Sequence, residues 1–386
     1  MRHIETLQWR VGTQFYASLF KPSCCGGTDT TPIDCMKKFF TLFATVLLLC
    51  SAAQAKTWRI NNDPAAKADF LSINDAMGSV EVLDGDVLYL DPGCRLSSQT
   101  ISKSVTIIGT GYNLTEAEEA MVAGITIKAS NIKLTGVNIS GAIGWSSSYN
   151  NIAIERCKAQ KIDINYESCS GVKIIGCYIV GDIHGGGSGV NSGSKTIIRN
   201  SIVLGRIKNI NGGIITNNVI IHDSMNESAV VNHHPLLYIK NSTITNNIII
   251  NTSTYSVAVN NVITKCKNFT IYNTAVTDYN TICNNVLSTD ADHAWADFPT
   301  NKFIGAKVED IFVNEGNQEE KYQLKEGSAA IGYGSNGVDC GAFDGMYPYV
   351  LCGRPQFVPY IYDAQIPTTT EDGKLNITLK IKTQNE

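Results

Sequence analysis

The stretch Asn131–Ile139, "NIKLTGVNI", returns along the chain in altered form, and this repetition decides the fold. Six further segments follow the same pattern: "NIAIERCKA" (151–159), "GVKIIGCYI" (171–179), "KTIIRNSIV" (195–203), "GGIITNNVI" (212–220), "NSTITNNII" (241–249) and "NFTIYNTAV" (268–276). Their first residues are 20, 20, 24, 17, 29 and 27 positions apart. The period-two alternation of Ile, Val and Thr is typical of short strands, and a self-similar step of this length predicts a solenoid.

Two columns of the aligned units sharpen this prediction. The fourth position is always aliphatic: Leu134, Ile154, Ile174, Ile198, Ile215, Ile244 and Ile271. The sixth position favours Gly and Asn: Gly136, Arg156, Gly176, Asn200, Asn217, Asn246 and Asn273. If each unit is one coil, the aliphatic side chains stack about 4.8 Å apart in the interior. Gly and Asn tolerate left-handed backbone, so the second column predicts a corner. A β-sandwich would instead show hairpin turns every 8–12 residues or so. The columns therefore favour a parallel β-helix.

The flanking sequence extends the same interpretation. Residues 70–113 contain one or two amphipathic helical turns and then strands, as expected of a cap over the first open coil. "GDVLYLDPG" (85–93) and "ISKSVTIIGTGY" (101–112) resemble the first coil of secreted bacterial pectin-lyase-like proteins, and "YQLKEGSAAIGYGSNGVDCGAFDG" (322–345) resembles their closing coil. The resemblance covers Trp58 to Gly345. It implies an all-β, right-handed parallel β-helix with a short N-terminal capping helix. It implies no particular activity, because the superfamily includes lyases, hydrolases, epimerases and tail spikes.

The two ends of the chain are predicted to differ from the solenoid. Residues 36–55, "MKKFFTLFATVLLLCSAAQA", have the basic, apolar and small-residue regions of a secretory signal peptide, which makes residues 1–35 an upstream leader or a mis-assigned start. We therefore expect a secreted, periplasmic or cell-surface protein. The mature chain would comprise the β-helix over residues 56–353 and a small β tail over 354–386, acting as a cap or as a surface attachment. The mature chain shows no second apolar run long enough to span a membrane, and we expect a monomer.

Charge and cysteine content exclude some classes of protein. Residues 1–55 hold five of the 31 Lys/Arg and three of the 35 Asp/Glu, which leaves 26 basic against 32 acidic side chains. That balance argues against nucleic-acid binding. Eight of the 12 cysteines follow the leader, and an oxidising compartment permits disulfides. Cys340 and Cys352 bracket a Gly-rich loop and are the best candidate bridge. Cys157 and Cys177 occupy equivalent positions in adjacent units, where stacked thiols are favoured over a disulfide.

The candidate site comes from aligning two neighbouring segments, "VGDIHG" (180–185) and "LGRIKN" (204–209). Asp182 then lies beside Arg206, and His184 beside Lys208. Because the isoleucines between them point inward, all four side chains should point outward on neighbouring coils. One hypothesis is a groove for an acidic sugar, in which the two cations bind uronate carboxylates and His184 or Asp182 acts as acid or base. The alternative, which we favour, is a ladder of salt bridges of modest stability.

Further residues widen this candidate surface. Lys161 and Asp163 are predicted to lie on the preceding coil and Asp223 on the following one. Trp145 and Tyr149, in "GWSSSYNN", could stack on a sugar ring if they are exposed; packing beneath a loop is the alternative. In the segment "STDADHAWAD", Asp290, Asp292 and His293 form a weak candidate for a cation site, and a solvated loop is the favoured interpretation.

The triplet Arg206-Ile207-Lys208 also closes the active-site pattern of polygalacturonases. The Asn-Thr-Asp, Asp-Asp and Gly-His-Gly elements of that pattern are absent from this sequence, so no catalytic role is transferred. Calcium would be required only by a pectate-lyase-like mechanism, and no other cofactor is expected. Two hypotheses remain. The favoured one is a binding or structural β-helix of the bacterial exterior that contacts a polysaccharide. The other is a lyase or hydrolase acting on an acidic glycan.

Overall fold

The computed structural model describes residues 55–382 except 188–193, 223–235, 241, 252–280, 284–285, 288–301, 304–310, 356–358, 368, 370–373 and 375. One α-helix, α1 (Ile73–Gly78), lies near the start. The first strands are β1 (Thr57–Ile60), β2 (Val87–Leu90), β3 (Arg95–Leu96), β4 (Gln99–Ile101), β5 (Thr106–Ile108), β6 (Met121–Val122), β7 (Ile125–Ile127), β8 (Lys133–Thr135) and β9 (Asn138–Trp145). The next are β10 (Ala153–Glu155), β11 (Lys158–Asp163), β12 (Val172–Ile175), β13 (Tyr178–Ile179), β14 (Ile183–His184), β15 (Thr196–Arg199), β16 (Ile202–Val203), β17 (Ile207–Asn211) and β18 (Ile214–Thr216). The last are β19 (Val219–His222), β20 (Leu236–Lys240), β21 (Thr243–Thr245), β22 (Ile248–Asn251), β23 (Thr281–Cys283), β24 (Val286–Leu287), β25 (Lys302–Phe303), β26 (Tyr360–Gln365) and β27 (Thr378–Lys382).

The strands form a parallel β-helix, which confirms the predicted fold class. One sheet runs β1-β2-β5-β8-β10-β12-β15-β18-β21-β23, and each pairing along it is parallel. The second sheet has two columns of strands, because the long strands β9 and β11 contribute to both. One column continues through β13, β16, β19 and β22, and the other through β14, β17 and β20.

The two sequence columns occupy their predicted positions in the described coils. The aliphatic residues of the fourth position are paired from Leu134 to Ile244, and each is fully buried. The sixth position, from Gly136 to Asn246, has left-handed backbone with φ between 48° and 64°. Arg156 shares this conformation, with φ of 51°. The seventh unit, from Asn268, lies outside the described residues. The strand next to β21 is instead β23, which pairs Ile282 with Ile244.

The short helix α1 lies at the N-terminal end of the solenoid. The hydroxyl of Ser72 accepts a hydrogen bond from the Asp75 amide at 3.0 Å, which satisfies one donor of the first turn. Ile73, Ala76 and Met77 face the core and are buried. The helix therefore shields the apolar interior of the first coil from water, as the sequence predicted.

Residues 322–345, which the sequence predicted to be a closing coil, contribute no strand to either sheet. Residues 339–355, here called the return segment, run back along the outside of the left-handed corners. The amide of Gly341 donates to Asn246 O at 2.9 Å, whereas the amide of Tyr112 donates to Cys352 O at 2.8 Å. Between these points, the Asn200 side-chain amide donates to the carbonyl oxygens of Ala342 and Asp344. The Gly and Asn corners thus provide both a compact surface and hydrogen-bond donors for this segment.

A second hydrophobic cluster covers the outer face of the β13-β16-β19-β22 column. Its solenoid members are Tyr112, Tyr178, Ile202, Val219 and Ile248, and its C-terminal members are Ile311, Phe312, Tyr322, Ala330, Cys340, Ala342 and Tyr349. The four strand residues point away from the interior ladder, yet each is at most 3% exposed. The covered face therefore adds a second layer of apolar burial outside the solenoid.

The predicted Cys340–Cys352 disulfide is absent, and both residues carry thiols. The reason is the direction of the return segment. Cys340 packs beside Val219 and Ile248, while the Cys352 backbone lies beside Tyr112, several coils closer to the N terminus. At about 4.8 Å per coil, this separation exceeds the Cα–Cα range of a disulfide, roughly 4.4–6.8 Å. Cys157 and Cys177 are fully buried thiols in the interior.

The C-terminal residues form an antiparallel pair, β26 with β27, and Ile361 stands opposite Ile381. Within the described residues, no helix is both long and apolar enough to cross a membrane. The predicted signal peptide and leader lie outside the described residues.

Candidate functional site

The candidate site is a charged cluster on the outer face of β11, β14 and β17, made of Lys161, Asp163, Asp182, His184, Arg206 and Lys208. The strand register matches the sequence alignment, since Ile183 pairs with Ile207 and His184 with Lys208. In the preceding coil, Asp163 pairs with His184. The isoleucines of all three strands are fully buried, which directs the intervening side chains outward.

Asp182 is the centre of the cluster. Arg206 donates to its carboxylate from Nη2 at 2.8 Å, from Nε at 3.1 Å and from the backbone amide at 2.9 Å. Lys208 Nζ donates to Oδ2 at 3.0 Å. The exposed fractions of the three side chains are only 15–24%, so these ion pairs are poorly screened by water. Burial alone would raise the pKa of Asp182, but the bonds and charge of Arg206, followed by Lys208, lower this pKa to about 2.

His184 is held by the neighbouring loop and coil. Its Nε2 lies 3.1 Å from Gly187 O, and its Nδ1 lies 3.8 Å from Asp163 Oδ1. Burial and then the charge of Lys208 lower the pKa of His184 below its ordinary value, so the ring is neutral at pH 7. The Asp163 carboxylate also pairs with Lys161 at 2.5 Å, and this bond raises the pKa of Lys161.

These contacts limit the chemistry of the cluster. Asp182 remains anionic throughout the physiological range and cannot donate a proton to a glycosidic oxygen. The guanidinium and ammonium groups that would bind a uronate already hold Asp182. A neutral His184 retains the capacity to act as a base, but its acidic neighbour Asp163 is itself paired with Lys161. The contacts among these side chains are those of the salt-bridge ladder and not of an open groove for an acidic sugar.

Breaking the ladder at Asp182 should destabilise the protein in a pH-dependent way. Asp182→Asn leaves Arg206 and Lys208 adjacent without their anion, and we expect a loss of about 2 kcal/mol at pH 7. Because the folded-state pKa lies below the ordinary value of 3.8, the stabilisation exists above about pH 4 and disappears as pH falls towards 2. Urea unfolding between pH 2 and pH 7 measures this difference. The exposed acid Glu167 provides the control, since Glu167→Gln should change stability by less than about 0.5 kcal/mol. Equal effects of the two variants at pH 7 would contradict the ladder.

Of the two aromatic candidates, Trp145 lacks the exposure that stacking on a sugar ring requires. Trp145 is 6% exposed and belongs to the interior cluster, because the end of β9 turns its ring into the solenoid. Tyr149 is half-buried against the same cluster. Trp145 therefore offers no platform for a sugar, because its ring is buried in the interior cluster and not beneath a loop.

The structure does not describe the remaining candidates. β20 follows β17, and the register places Leu237 next to Lys208, whereas Asp223 lies outside the described residues. Asp290, Asp292 and His293 also lie outside the described residues. Among the residues that are described, no group of three or more His, Cys, Asp or Glu is arranged to hold a metal ion.

The sequence analysis missed a buried polar hub that fastens the return segment. Glu319 is fully buried, and its carboxylate accepts hydrogen bonds from Tyr349 Oη at 2.9 Å, from the Cys352 amide at 2.8 Å and from the Asn113 side-chain amide. The hydroxyl groups of Tyr349 and Tyr112 lie 2.7 Å apart. Burial raises the pKa of Glu319. The chain offers no local motif for this hub, because Asn113 and Glu319 are 206 residues apart.

Comparison with known proteins gives one partial similarity. The chain is 26% identical over 106 residues to a protein named cell surface glycoprotein from Methanothermus fervidus. The match covers 28% of this chain and 18% of that protein, so it spans less than a fifth of the relative's length. No family model matches the chain, and no solved structure matches it.

Proposed function

We propose that this chain is an exported β-helix of the cell surface, with pectin-lyase-like architecture, that binds or supports polysaccharide without cleaving it. The observation that carries the proposal is the pairing within the charged cluster, in which Arg206 and Lys208 both bind Asp182. An acid/base site needs a proton donor and a substrate-binding cation that are both available, and the ladder occupies these groups with one another. The surface location draws on the similarity to a cell surface glycoprotein and on the signal peptide predicted from the sequence.

The test is a paired binding and cleavage assay on purified residues 56–386. Acidic and neutral polysaccharides are offered with and without calcium. We expect at least one polysaccharide to retard the protein in affinity gel electrophoresis, with no release of reducing ends above background. Lyases and hydrolases both create reducing ends, so the assay detects either mechanism. Release that is abolished by His184→Ala or Arg206→Ala would overturn the proposal and establish an enzyme acting on that glycan.

A further inference from the structure

A cleft beside β2, a strand of the first sheet, has the composition of a sugar-binding site, whereas the charged cluster lies on the second sheet. It lies between β2 and the end of the return segment, and its volume is about 440 Å³. This volume falls in the usual range for small-molecule sites, about 300–1,000 Å³. Tyr89, Pro92, Pro355 and Pro359 provide apolar walls, and charged side chains stand among them.

The strand pattern explains how Tyr89 reaches the cleft. Leu88 and Leu90 are buried in the solenoid, so the side chain between them points outward and is half-buried. On the facing wall, Gly109 and Thr110 lie beside the return segment. The hydroxyl oxygen of Thr110 accepts the Ala120 amide at 2.8 Å, which fixes this side chain in place. The ring of Tyr89 is carried by β2, which is paired with β1 on one side and β5 on the other. A ring held by paired strands favours ligand binding without rearrangement.

The charges around the cleft are balanced. Asp91 is paired with Arg59 at 2.6 Å, and Arg354 lies 3.9 Å from Glu118. A hydrogen bond from the Thr115 hydroxyl lowers the pKa of Glu118, which keeps this carboxylate ionised and able to accept hydrogen bonds. Two acids and two bases leave no net field to attract a uronate. A purely apolar ligand would displace water from these charged groups without replacing the hydrogen bonds that the water makes, which is costly.

We propose that this cleft binds a neutral glycan segment of about two sugar rings. The ring of Tyr89 stacks on the apolar face of one sugar, while Glu118 accepts a hydrogen bond from a sugar hydroxyl group and Arg354 donates to another. This assignment rests on the proposed function, since it supplies the site at which the surface solenoid contacts polysaccharide. The charged cluster then serves stability, and recognition takes place on a separate face.

The experiment measures disaccharide binding by calorimetry and by saturation-transfer NMR on residues 56–386. The probes are cellobiose, maltose, N,N′-diacetylchitobiose and, as a charged comparison, digalacturonate. We expect a neutral disaccharide to bind more tightly than digalacturonate. Tyr89→Ala and Tyr89→Leu should each weaken this binding about tenfold, because both remove the stacking ring. Tyr347→Ala, which removes a half-exposed tyrosine from the return segment outside the cleft, should change affinity less than about twofold.

The outcomes separate this inference from the proposed function. Circular dichroism establishes that the variants fold. If Tyr89→Ala does not fold, Tyr89→Leu still tests the cleft, because leucine keeps apolar bulk at this position without the ring. Neutral binding that survives both Tyr89 variants, a preference for digalacturonate, or no disaccharide binding at all would overturn the cleft assignment. None of these results affects the non-catalytic proposal, which is overturned by a release of reducing ends that His184→Ala or Arg206→Ala abolishes.

Discussion

Glu319→Ala should lower the free energy of unfolding by about 3 kcal/mol and release the return segment from the solenoid. The substitution leaves the Tyr349 hydroxyl, the Cys352 amide and the Asn113 side-chain amide without their common acceptor. Each buried donor without a partner costs about 1–3 kcal/mol, and neighbouring losses do not add fully. Urea unfolding measures the stability change, and limited proteolysis with mass spectrometry detects release as new cleavage within residues 339–355.

The control for this variant is Glu326→Ala, which removes an exposed carboxylate a few residues further along the chain. We expect the control to change stability by less than about 0.5 kcal/mol and to leave the return segment protected. Tyr349→Phe separates the contributions within the hub, because it deletes one hydroxyl and keeps the ring. Its expected cost is about 1–2 kcal/mol. Glu319→Ala without new cleavage in residues 339–355 would show that the apolar cluster alone holds the segment.

The solenoid was predictable because its information is local and repeated. An inward aliphatic residue such as Ile154 recurs at each coil, and the corner residue two positions later needs left-handed backbone. The register of the charged cluster followed from the same repetition, since aligning Ile183 with Ile207 places His184 beside Lys208. Repetition determines neighbours on adjacent coils, and the pairing of Asp182 with Arg206 is such a neighbour contact.

The path of the return segment was not predictable from the repeats, because it depends on contacts between distant parts of the chain. One signal was nevertheless present. The eighth position of four successive units holds Tyr178, Ile202, Val219 and Ile248, which alternate away from the interior ladder. Four outward apolar residues on adjacent coils predict a covered face. That signal would have favoured a segment lying along the solenoid over a closing coil, and would have removed the reason to pair Cys340 with Cys352.

Ile174→Ala tests the interior ladder at its centre. Ile174 is fully buried and pairs with Ile154 on one side and Ile198 on the other. Truncating a buried isoleucine removes its transfer free energy and leaves a cavity, which together cost about 2–5 kcal/mol. The higher part of that range is expected here, because two neighbouring coils fix the backbone and prevent the space from closing. Urea unfolding gives the cost.

The next residue supplies a matched control of the same amino-acid type. Ile175 points outward and is half-buried, with Glu155 and Arg199 as its strand neighbours. Ile175→Ala should therefore cost less than about 1 kcal/mol. The two variants share secondary structure, strand propensity and lost volume, so their difference isolates burial in the interior. Because each coil stabilises its neighbours, an Ile174→Ala cavity should also lower the cooperativity of unfolding, seen as a smaller dependence of the unfolding free energy on urea. Equal costs for Ile174→Ala and Ile175→Ala would mean that the aliphatic ladder does not face the core.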